Sequence, residues 1–149
     1  MAIRRIRRIG EEILREKCED VTVIDNRTRQ ILNNMVDTLH STGDGVAIAA
    51  PQIGILKRLI VVDMGQGPIK LINPQIIKKV GTQIVIEGCL SIPHTFGKVK
   101  RPAKVTVLAF NEHGRKVILT GTGDLAKCFC HEIDHLDGIL FTDLVIQYV

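Results

Sequence analysis

Two histidines and a glutamate near the end of the chain have the types and spacing of a metal-binding helix. His131 and His135 are four residues apart, so on an α-helix both side chains project from one face, about one turn apart. Two imidazoles placed in that way can bind one metal ion, and Glu132 lies beside them, within reach of a bound water. The same short pattern also occurs by chance in helices whose histidines form only local hydrogen bonds.

The residues around this motif predict a buried helix. Apolar residues from Leu125 to Leu136 leave it almost no polar face. We predict Asp124 as its N-cap and Gly138 as its C-terminal end. An unpaired buried charge is costly, whereas a divalent cation would satisfy the two histidines and the acid together. Burial therefore favours a metal site.

A catalytic metal ion usually has three protein ligands and one open position, so two histidines leave the site incomplete. Cys128 lies three residues before His131, and its side chain should lie mainly alongside the helix, away from an ion between the histidines. Cys89 follows Gly88 in a segment between predicted strands and can approach from another direction. The geometry favours Cys89, and the other candidates stay open: Cys128, Cys130, Glu87, Glu112 and the remaining histidines.

The composition is that of a globular protein. With 149 residues, 45% of them hydrophobic and 24% charged, we expect a single domain, residues 1–149, with a proper core. The net charge of +4 comes largely from arginines among the first eight residues. Such a start could attract a ribosome or RNA weakly, but the chain has few aromatic residues to stack on bases.

We expect a cytoplasmic protein that does not cross a membrane. No apolar segment approaches the length of a membrane span. The acidic residues that follow the basic start, from Glu11 to Asp20, are unlike a transit peptide. Burial or metal binding explains the four cysteines better than disulfides do.

The order of the predicted elements indicates an α+β fold. An amphipathic N-terminal helix runs from Asp25 to about Thr42, with Ile31, Met35 and Leu39 on one apolar stripe. We expect mostly antiparallel, short-stranded sheets packed around the buried C-terminal helix that carries the sequence HEIDH. The predicted strands are Leu59–Asp63, Lys70–Asn73, Ile76–Val80, Thr82–Ile86, Val105–Ala109 and Lys116–Thr120.

A run of small residues, Gly45–Gly54, separates the first helix from these strands. It has too many glycines and prolines for a stable helix and side chains too small for a core strand, so we predict a loop. Small side chains allow another backbone, or a substrate, to come close. Gln52 is its one long polar side chain, and its amide can either fix the loop or face a ligand.

Three segments together resemble the motifs of the peptide deformylases, in that family's order. They are Gly45–Gln52 (GVAIAAPQ), Glu87–Ser91 (EGCLS) and His131–Leu136 (HEIDHL). The resemblance covers nearly the whole chain and extends to Arg101-Pro102 and to the segment Asp137–Phe141. Three ordered motifs are far more specific than one metal-binding pentapeptide.

The resemblance implies a hydrolase that removes the formyl group from the N-terminal formylmethionine of newly made bacterial proteins, by attack of a metal-activated water. It implies that Glu132 transfers the proton. It also implies that the amide of Gln52 and the backbone N–H of Leu90 bind the developing oxyanion. The implied metal ligands are Cys89, His131 and His135.

The resemblance implies Fe²⁺ as the cofactor, for which Zn²⁺, Ni²⁺ or Co²⁺ can substitute, and a thiolate ligand suits iron or zinc. It implies an apolar pocket for the methionine side chain, formed by Val46, Val85, Leu90 and Cys128. The peptide would pair along the first motif as an added strand. Including the second motif, the expected substrate-binding residues are Gly45, Val46, Ala47, Val85, Glu87, Gly88, Leu90 and Cys128. We expect a monomer whose partners are formyl-Met N-termini, and we also consider a transient contact with the ribosome.

The chain departs from the family pattern in three places. Ala47 stands where the second glycine of the first motif is usual, and its methyl either narrows the substrate groove or stiffens a segment with negative φ. Cys130 stands where glutamine usually precedes the first histidine. The chain ends eleven residues after Gly138, so we expect the C-terminal helix of longer members to be absent or very short.

Two other functions are compatible with parts of the sequence. A zincin-type metalloprotease shares the two-histidine motif, but no downstream ligand with a supporting pattern is apparent. A basic ribosome-binding module with a structural metal would fit the net charge, and such a site would need a fourth ligand, for which Cys130 is the nearest candidate.

Overall fold

The computed structural model describes residues 2–149. These residues form two α-helices and eight β-strands, together with short 3₁₀ helices at Glu12–Arg15, Ala50–Ile53 and Phe141–Asp143. The α-helices are α1 (Asn26–Ser41) and α2 (Gly123–Leu136). The strands are β1 (Ala47–Ala49), β2 (Leu59–Val62), β3 (Ile69–Val80), β4 (Gln83–Cys89), β5 (Ile92–Arg101), β6 (Lys104–Phe110), β7 (Lys116–Thr122) and β8 (Val145–Tyr148).

The strands form two antiparallel sheets. The larger has the order β1-β2-β3-β6-β7, and the smaller has the order β4-β5-β8. Every pairing between these strands is antiparallel. The α+β prediction is therefore confirmed. Strand β1 is an edge strand of the larger sheet, and β4 is an edge strand of the smaller sheet.

Helix α1 covers one face of the five-stranded sheet. Asp25 is its N-cap, since its carboxylate accepts a hydrogen bond from the backbone N–H of Thr28 over 3.0 Å. Leu32, Met35 and Leu39 are fully buried and pack with sheet residues. The predicted amphipathic helix is confirmed almost to the residue.

Helix α2 covers the opposite face of the same sheet. Phe129 and Leu136 are fully buried against residues such as Ile60 and Val107. The predicted burial of this helix is confirmed. Gly138 ends it in a left-handed conformation, φ +74°, and a Cβ there would lie 2.5 Å from a backbone oxygen.

The N-cap predicted for α2 was wrong. The helix begins at Gly123, with Thr122 as the N-cap residue, and Asp124 lies inside the first turn. The last residue of β7 is also the cap, so strand and helix follow each other without a loop. Asp124 still favours the helix by placing a negative charge near its positive end.

The prediction of a loop at Gly45–Gly54 was wrong in its local structure. Ala47–Ala49 form the short strand β1, and a 3₁₀ helix follows at Ala50–Ile53. Strand β1 lies between α1 and α2. Ile48 faces α1, and the small side chains of Ala47 and Ala49 face α2.

Three other strand predictions also need correction. The segments predicted as 70–73 and 76–80 form the single strand β3, which is irregular around Asn73, a residue with φ +53°. Strand β4 continues through Cys89, and both β5 and β8 were missed. Among residues 2–149, α2 is followed by a 3₁₀ helix and β8 and by no further α-helix.

Two further absences apply to residues 2–149. None of the helices there is both long and apolar enough to cross a membrane. The four cysteines in this range form no disulfide.

Candidate active site

The proposed metal donors meet at one point between α2 and the end of β4. The donor atoms of Cys89, His131 and His135 all lie within 4.8 Å of one another. The distance from Sγ of Cys89 to Nε2 of His135 is 3.3 Å. Metal–ligand bonds of about 2.0–2.3 Å allow this separation between two atoms on one ion. The three residues therefore fit a shared divalent metal.

Cys89 reaches the helix because it lies at the end of the β4–β5 hairpin. The turn consists of Leu90 and Ser91, and Cys89 pairs with Ile92 across it. Gly88 allows a close approach just before the turn, since a Cβ there would lie 2.6 Å from the ring of Phe96.

The other cysteines of α2 lie outside this cluster. Cys128 and Cys130 are 4% and 5% exposed and pack in the core beneath the sheet. Burial raises the pKa of Cys128 to about 12 and that of Cys130 to about 11, so both stay neutral thiols at pH 7. This placement agrees with the choice of Cys89 as the cysteine ligand and removes Cys130 as a fourth one.

A buried carboxylate orients the first histidine. Oε1 of Glu87 lies 2.7 Å from Nδ1 of His131. Burial alone would raise the pKa of Glu87, but its hydrogen bonds with Arg101 and His131 outweigh burial and lower the pKa to about 2. Because the ionised carboxylate can only accept, Nδ1 carries a proton, and Nε2 is the nitrogen left to bind a metal once its own proton is displaced.

Arg101 completes this network. Its guanidinium donates to both oxygens of Glu87, over 2.6 and 2.9 Å, and to Asp134 over 2.6 Å. Arg101 and Asp134 were not predicted as site residues. A signal was available for Asp134, because an acid on a helix predicted to be buried requires a cation nearby.

The electrostatics of the cluster also suit a cation. Burial works against a charged imidazole at His131, but the charge of Glu132 and the hydrogen bonds with Cys89 and Glu87 outweigh it and raise its pKa to about 10. Burial raises the pKa of Glu132 to about 7. Among the residues described, Oε1 of Glu132 and Nδ1 of His135 are buried without a hydrogen-bond partner. A divalent ion would compensate the negative charge that surrounds these groups.

Gln52 also points into this centre. Its Oε1 accepts from the backbone N–H of Ala49 over 2.9 Å, which fixes the orientation of the amide. Its Nε2 then donates to Oγ of Ser91 over 3.0 Å and lies 3.6 Å from Sγ of Cys89. Ser91 was not singled out as a separate site residue, although it closes the second motif.

A cavity of about 640 Å³ opens above the metal donors. It brings together nearly all the predicted substrate-binding residues: Gly45, Val46, Ala47, Glu87, Gly88, Leu90 and Cys128. Val85 does not line it. Its neighbour Ile86 does. Ile6 and Arg8, from the irregular N-terminal segment, also line the cavity and were missed.

Comparisons with known proteins agree with this geometry. The family model described as polypeptide deformylase matches residues 3–148. The chain belongs to the peptide deformylase family. Peptide deformylase 2 of Clostridium acetobutylicum is 63% identical over 149 residues, covering 100% of this chain and 99% of the relative. Members of the family are metallo-hydrolases that remove the formyl group from N-terminal formylmethionine.

Solved peptide deformylases share the fold. The crystal structure of the enzyme from Thermotoga maritima superposes with a TM-score of 0.94 at 37% identity, covering 97% of this chain and 99% of that one. The enzyme from Synechococcus elongatus, solved in complex with actinonin, gives a TM-score of 0.91 at 43% identity, with 94% and 77% covered.

The departure from the family pattern at Ala47 is explained by packing. Ala47 pairs with Val62 in β1, and within the described chain only Asn73 and His94 are non-glycine residues with positive φ. Its side chain shares the cluster that faces α2, although the residue also borders the cavity. The methyl therefore packs under the strand, which favours the stiffening role over a narrowed groove.

We predict that Ala47→Gly lowers the free energy of unfolding by about 1–2 kcal/mol, through the lost methyl burial and the greater freedom of glycine in a strand. KM for formyl-Met peptides should stay within about twofold, because the methyl points away from the substrate edge. Urea unfolding and steady-state kinetics measure the two effects. Ala109→Gly, in the same core cluster on β6, is the matched control. A lower KM without a loss of stability would contradict this assignment.

We predict that Glu87→Gln weakens metal binding about 10–100-fold, as expected when the partner that orients a histidine ligand is changed. It should also cost about 3–5 kcal/mol of stability, because Arg101 loses a buried counter-charge. Metal titration and denaturant unfolding test this.

The control for Glu87→Gln is Asp63→Asn, since Asp63 pairs with His40 over the same 2.7 Å but at the surface. We expect that variant to lose less than about 1 kcal/mol and no metal affinity. Equal effects of the two substitutions would show that the Glu87 network does not orient the ligand.

Proposed function

We propose that this chain carries out deformylation with a divalent metal ion bound by Cys89, His131 and His135, and with Glu132 as the group that transfers the proton. The observation that carries the proposal is the convergence of three metal donors and one buried, partly unpaired carboxylate at the base of a single cavity. We further propose that residues 1–149 act as one catalytic domain.

We propose Fe²⁺ as the natural metal, with Zn²⁺, Ni²⁺ or Co²⁺ able to substitute. Two imidazoles and a thiolate form a ligand set that suits iron and zinc better than the oxygen-seeking Mg²⁺ or Ca²⁺. When bound, such an ion lowers the pKa of a coordinated water from about 15.7 toward 7 and so supplies a nucleophile at neutral pH.

We propose that Glu132 moves the proton. Its Oε2 lies 3.9 Å from Nε2 of His131, and its Oε1 is free of partners among the described residues. The carboxylate takes a proton from the attacking water as the new C–O bond forms at the formyl carbon. It then delivers that proton to the amine nitrogen as the C–N bond breaks, which yields formate and a free N-terminus.

Gln52 and Leu90 are proposed to stabilise the negative charge that develops on the formyl oxygen. Because Ala49 fixes the orientation of the Gln52 amide, Nε2 is the atom that faces the centre. Leu90 follows the cysteine ligand directly, so its backbone N–H lies beside the same centre. Each donor is expected to contribute about 10²–10³ in rate, as in other oxyanion sites.

The proposed substrate is the formyl-Met N-terminus of a nascent protein. Val46, Leu90 and Cys128 give the cavity an apolar wall for the methionine side chain. The peptide backbone can pair with the free edge of β1 as an added strand. We propose a monomeric, cytoplasmic enzyme with a transient ribosome contact through its basic N-terminal residues.

The decisive experiment measures formate release from a formyl-Met peptide by the chain loaded anaerobically with Fe²⁺ or Ni²⁺. We expect Glu132→Gln to bind metal normally and to lose nearly all turnover, because Glu132 transfers protons without being a ligand. The matched control is Glu12→Gln, an acid-to-amide change on the N-terminal 3₁₀ helix, which should leave turnover unchanged. Turnover of Glu132→Gln within tenfold of the parent would show that another group moves the proton.

The ligand set is tested separately by metal content. Cys89→Ser, His131→Ala and His135→Ala should each lose bound metal, since each removes one of three donors. Cys18→Ser, Cys128→Ser and Cys130→Ser should retain it and are the matched controls. Elemental analysis per chain measures this. Full occupancy in Cys89→Ser would refute the assignment.

A further inference from the structure

The first residues of the chain connect the two segments that carry the proposed oxyanion donors. Gln52 belongs to the 3₁₀ helix after β1, whereas Ser91 belongs to the β4–β5 turn, next to the smaller sheet. The backbone N–H of Arg7 donates to the carbonyl oxygen of Gln52 over 2.7 Å. The backbone N–H of Ile9 donates to the carbonyl oxygen of Ser91 over 2.9 Å.

Residues 2–9, called here the N-terminal strap, are anchored to α1 before they reach the site. The N–H of Ala2 donates to Oδ1 of Asn34 over 2.8 Å, and the N–H of Arg4 donates to Oγ1 of Thr38 over 2.9 Å. Both acceptors are buried. The strap therefore runs from the first helix to the two donor segments without belonging to a sheet.

Glu11 fixes the second half of the strap. Its carboxylate accepts two hydrogen bonds from the guanidinium of Arg5, over 3.1 and 3.3 Å, one from Arg7 over 3.4 Å, and one from the backbone N–H of Arg8. The bonds from Arg5 and Arg8 lower the pKa of Glu11 to about 2. Glu11 is thus ionised at neutral pH and holds three arginines of the strap together.

The strap also contacts the backbone that follows Gln52. A Cβ on Gly54 would lie 2.8 Å from the guanidinium of Arg7, so that side chain lies directly against the glycine. Between the same two donor segments, Nε2 of Gln52 donates to Oγ of Ser91 over 3.0 Å. The two donor segments are therefore joined once by their own side chains and a second time through the strap.

We propose that the N-terminal strap is a positioning element for deformylation, which fixes Gln52 and the Leu90–Ser91 turn relative to each other. This inference rests on the oxyanion roles proposed above. Gln52 and Leu90 lie in segments next to different sheets, so they can act on one oxygen only if the distance between them is fixed. A displacement of about 1 Å can cost up to about 10²-fold in rate.

The test variant is Glu11→Gln, which releases the arginines of the strap without touching the cavity floor. We expect kcat for a formyl-Met peptide to fall about three- to tenfold with KM within about twofold, since the oxyanion exists only in the transition state. Metal content should be unchanged. Amide hydrogen exchange at Arg7 and Ile9 should accelerate. Arg5→Gln, which removes two of the bonds, should act in the same direction with a smaller loss.

Asp143→Asn is the matched control. Asp143 accepts two hydrogen bonds from the guanidinium of Arg15 and one from the backbone N–H of Leu140, at a site away from the strap. It is the same acid-to-amide change in the same kind of pairing. We expect unchanged kcat and unchanged exchange at Arg7 and Ile9. Equal loss of kcat in the control and in Glu11→Gln would overturn the proposal.

A double-mutant cycle separates positioning from general destabilisation. In a Gln52→Leu background the donor is already missing, so the further effect of Glu11→Gln on kcat should shrink to about twofold or less. A loss of the same size in both backgrounds would overturn the strap proposal. Unchanged kcat in Gln52→Leu alone would instead refute the oxyanion role of Gln52. A lower kcat in Gln52→Leu together with an unchanged kcat in Glu11→Gln would overturn the strap proposal and leave the oxyanion role of Gln52 intact.

Discussion

A buried ion pair between Glu87 and Arg101, both in the smaller sheet, joins that sheet to α2 through its further hydrogen bonds. Their side chains are 1% and 5% exposed, and removing two such charges from water costs several kcal/mol each. The pair is tolerable only because its remaining atoms also find partners. One carboxylate oxygen accepts from His131, and the guanidinium reaches Asp134, both on α2. The bonds that offset desolvation are thus the bonds that hold the hairpin of β4 and β5 against the helix.

The ligand geometry follows from this pair. Glu87 is ionised and fixed by the guanidinium, so it holds a proton on Nδ1 of His131, away from the metal donors. The other ring nitrogen, Nε2, then faces Cys89. The hairpin turn brings Cys89 to the same place, two residues beyond Glu87 on the same strand. One interaction therefore sets the protonation of one ligand and the position of another, which explains why a small fold can hold a site built from distant segments.

Sequence reasoning succeeded where a local pattern carried the information. The apolar run from Leu125 to Leu136 and the glycine after it predicted α2, and the direction of approach favoured Cys89, whose thiol lies beside the two histidines. It failed where the information was non-local. Strand β5 contains Pro93 and Gly97, which weaken a strand prediction, yet pairing with a strand on each side stabilises it. Arg101 and the N-terminal strap were missed for the same reason, because their partners lie far away in the chain.

The reasoning at β1 was correct about close approach and wrong about the local structure. Its two alanines pack on the side of α2, so larger side chains at these positions would push that helix away from the strand. As an edge strand β1 also has no strand partner on one side, next to the cavity, and the same holds for β4 in the other sheet. Unpaired edges are usually a liability for aggregation. Here both are short and border one cavity, where an extended peptide can occupy them.

Among the side chains of residues 2–149, only Glu132 and His135 have buried polar atoms without a hydrogen-bond partner. Each buried polar atom without a partner costs about 1–3 kcal/mol, and an apolar residue in place of Glu132 would avoid part of that cost. Selection for stability alone therefore does not account for this carboxylate. The proton-transfer role proposed for Glu132 does account for it, because a proton carrier must keep one oxygen free for the water it activates.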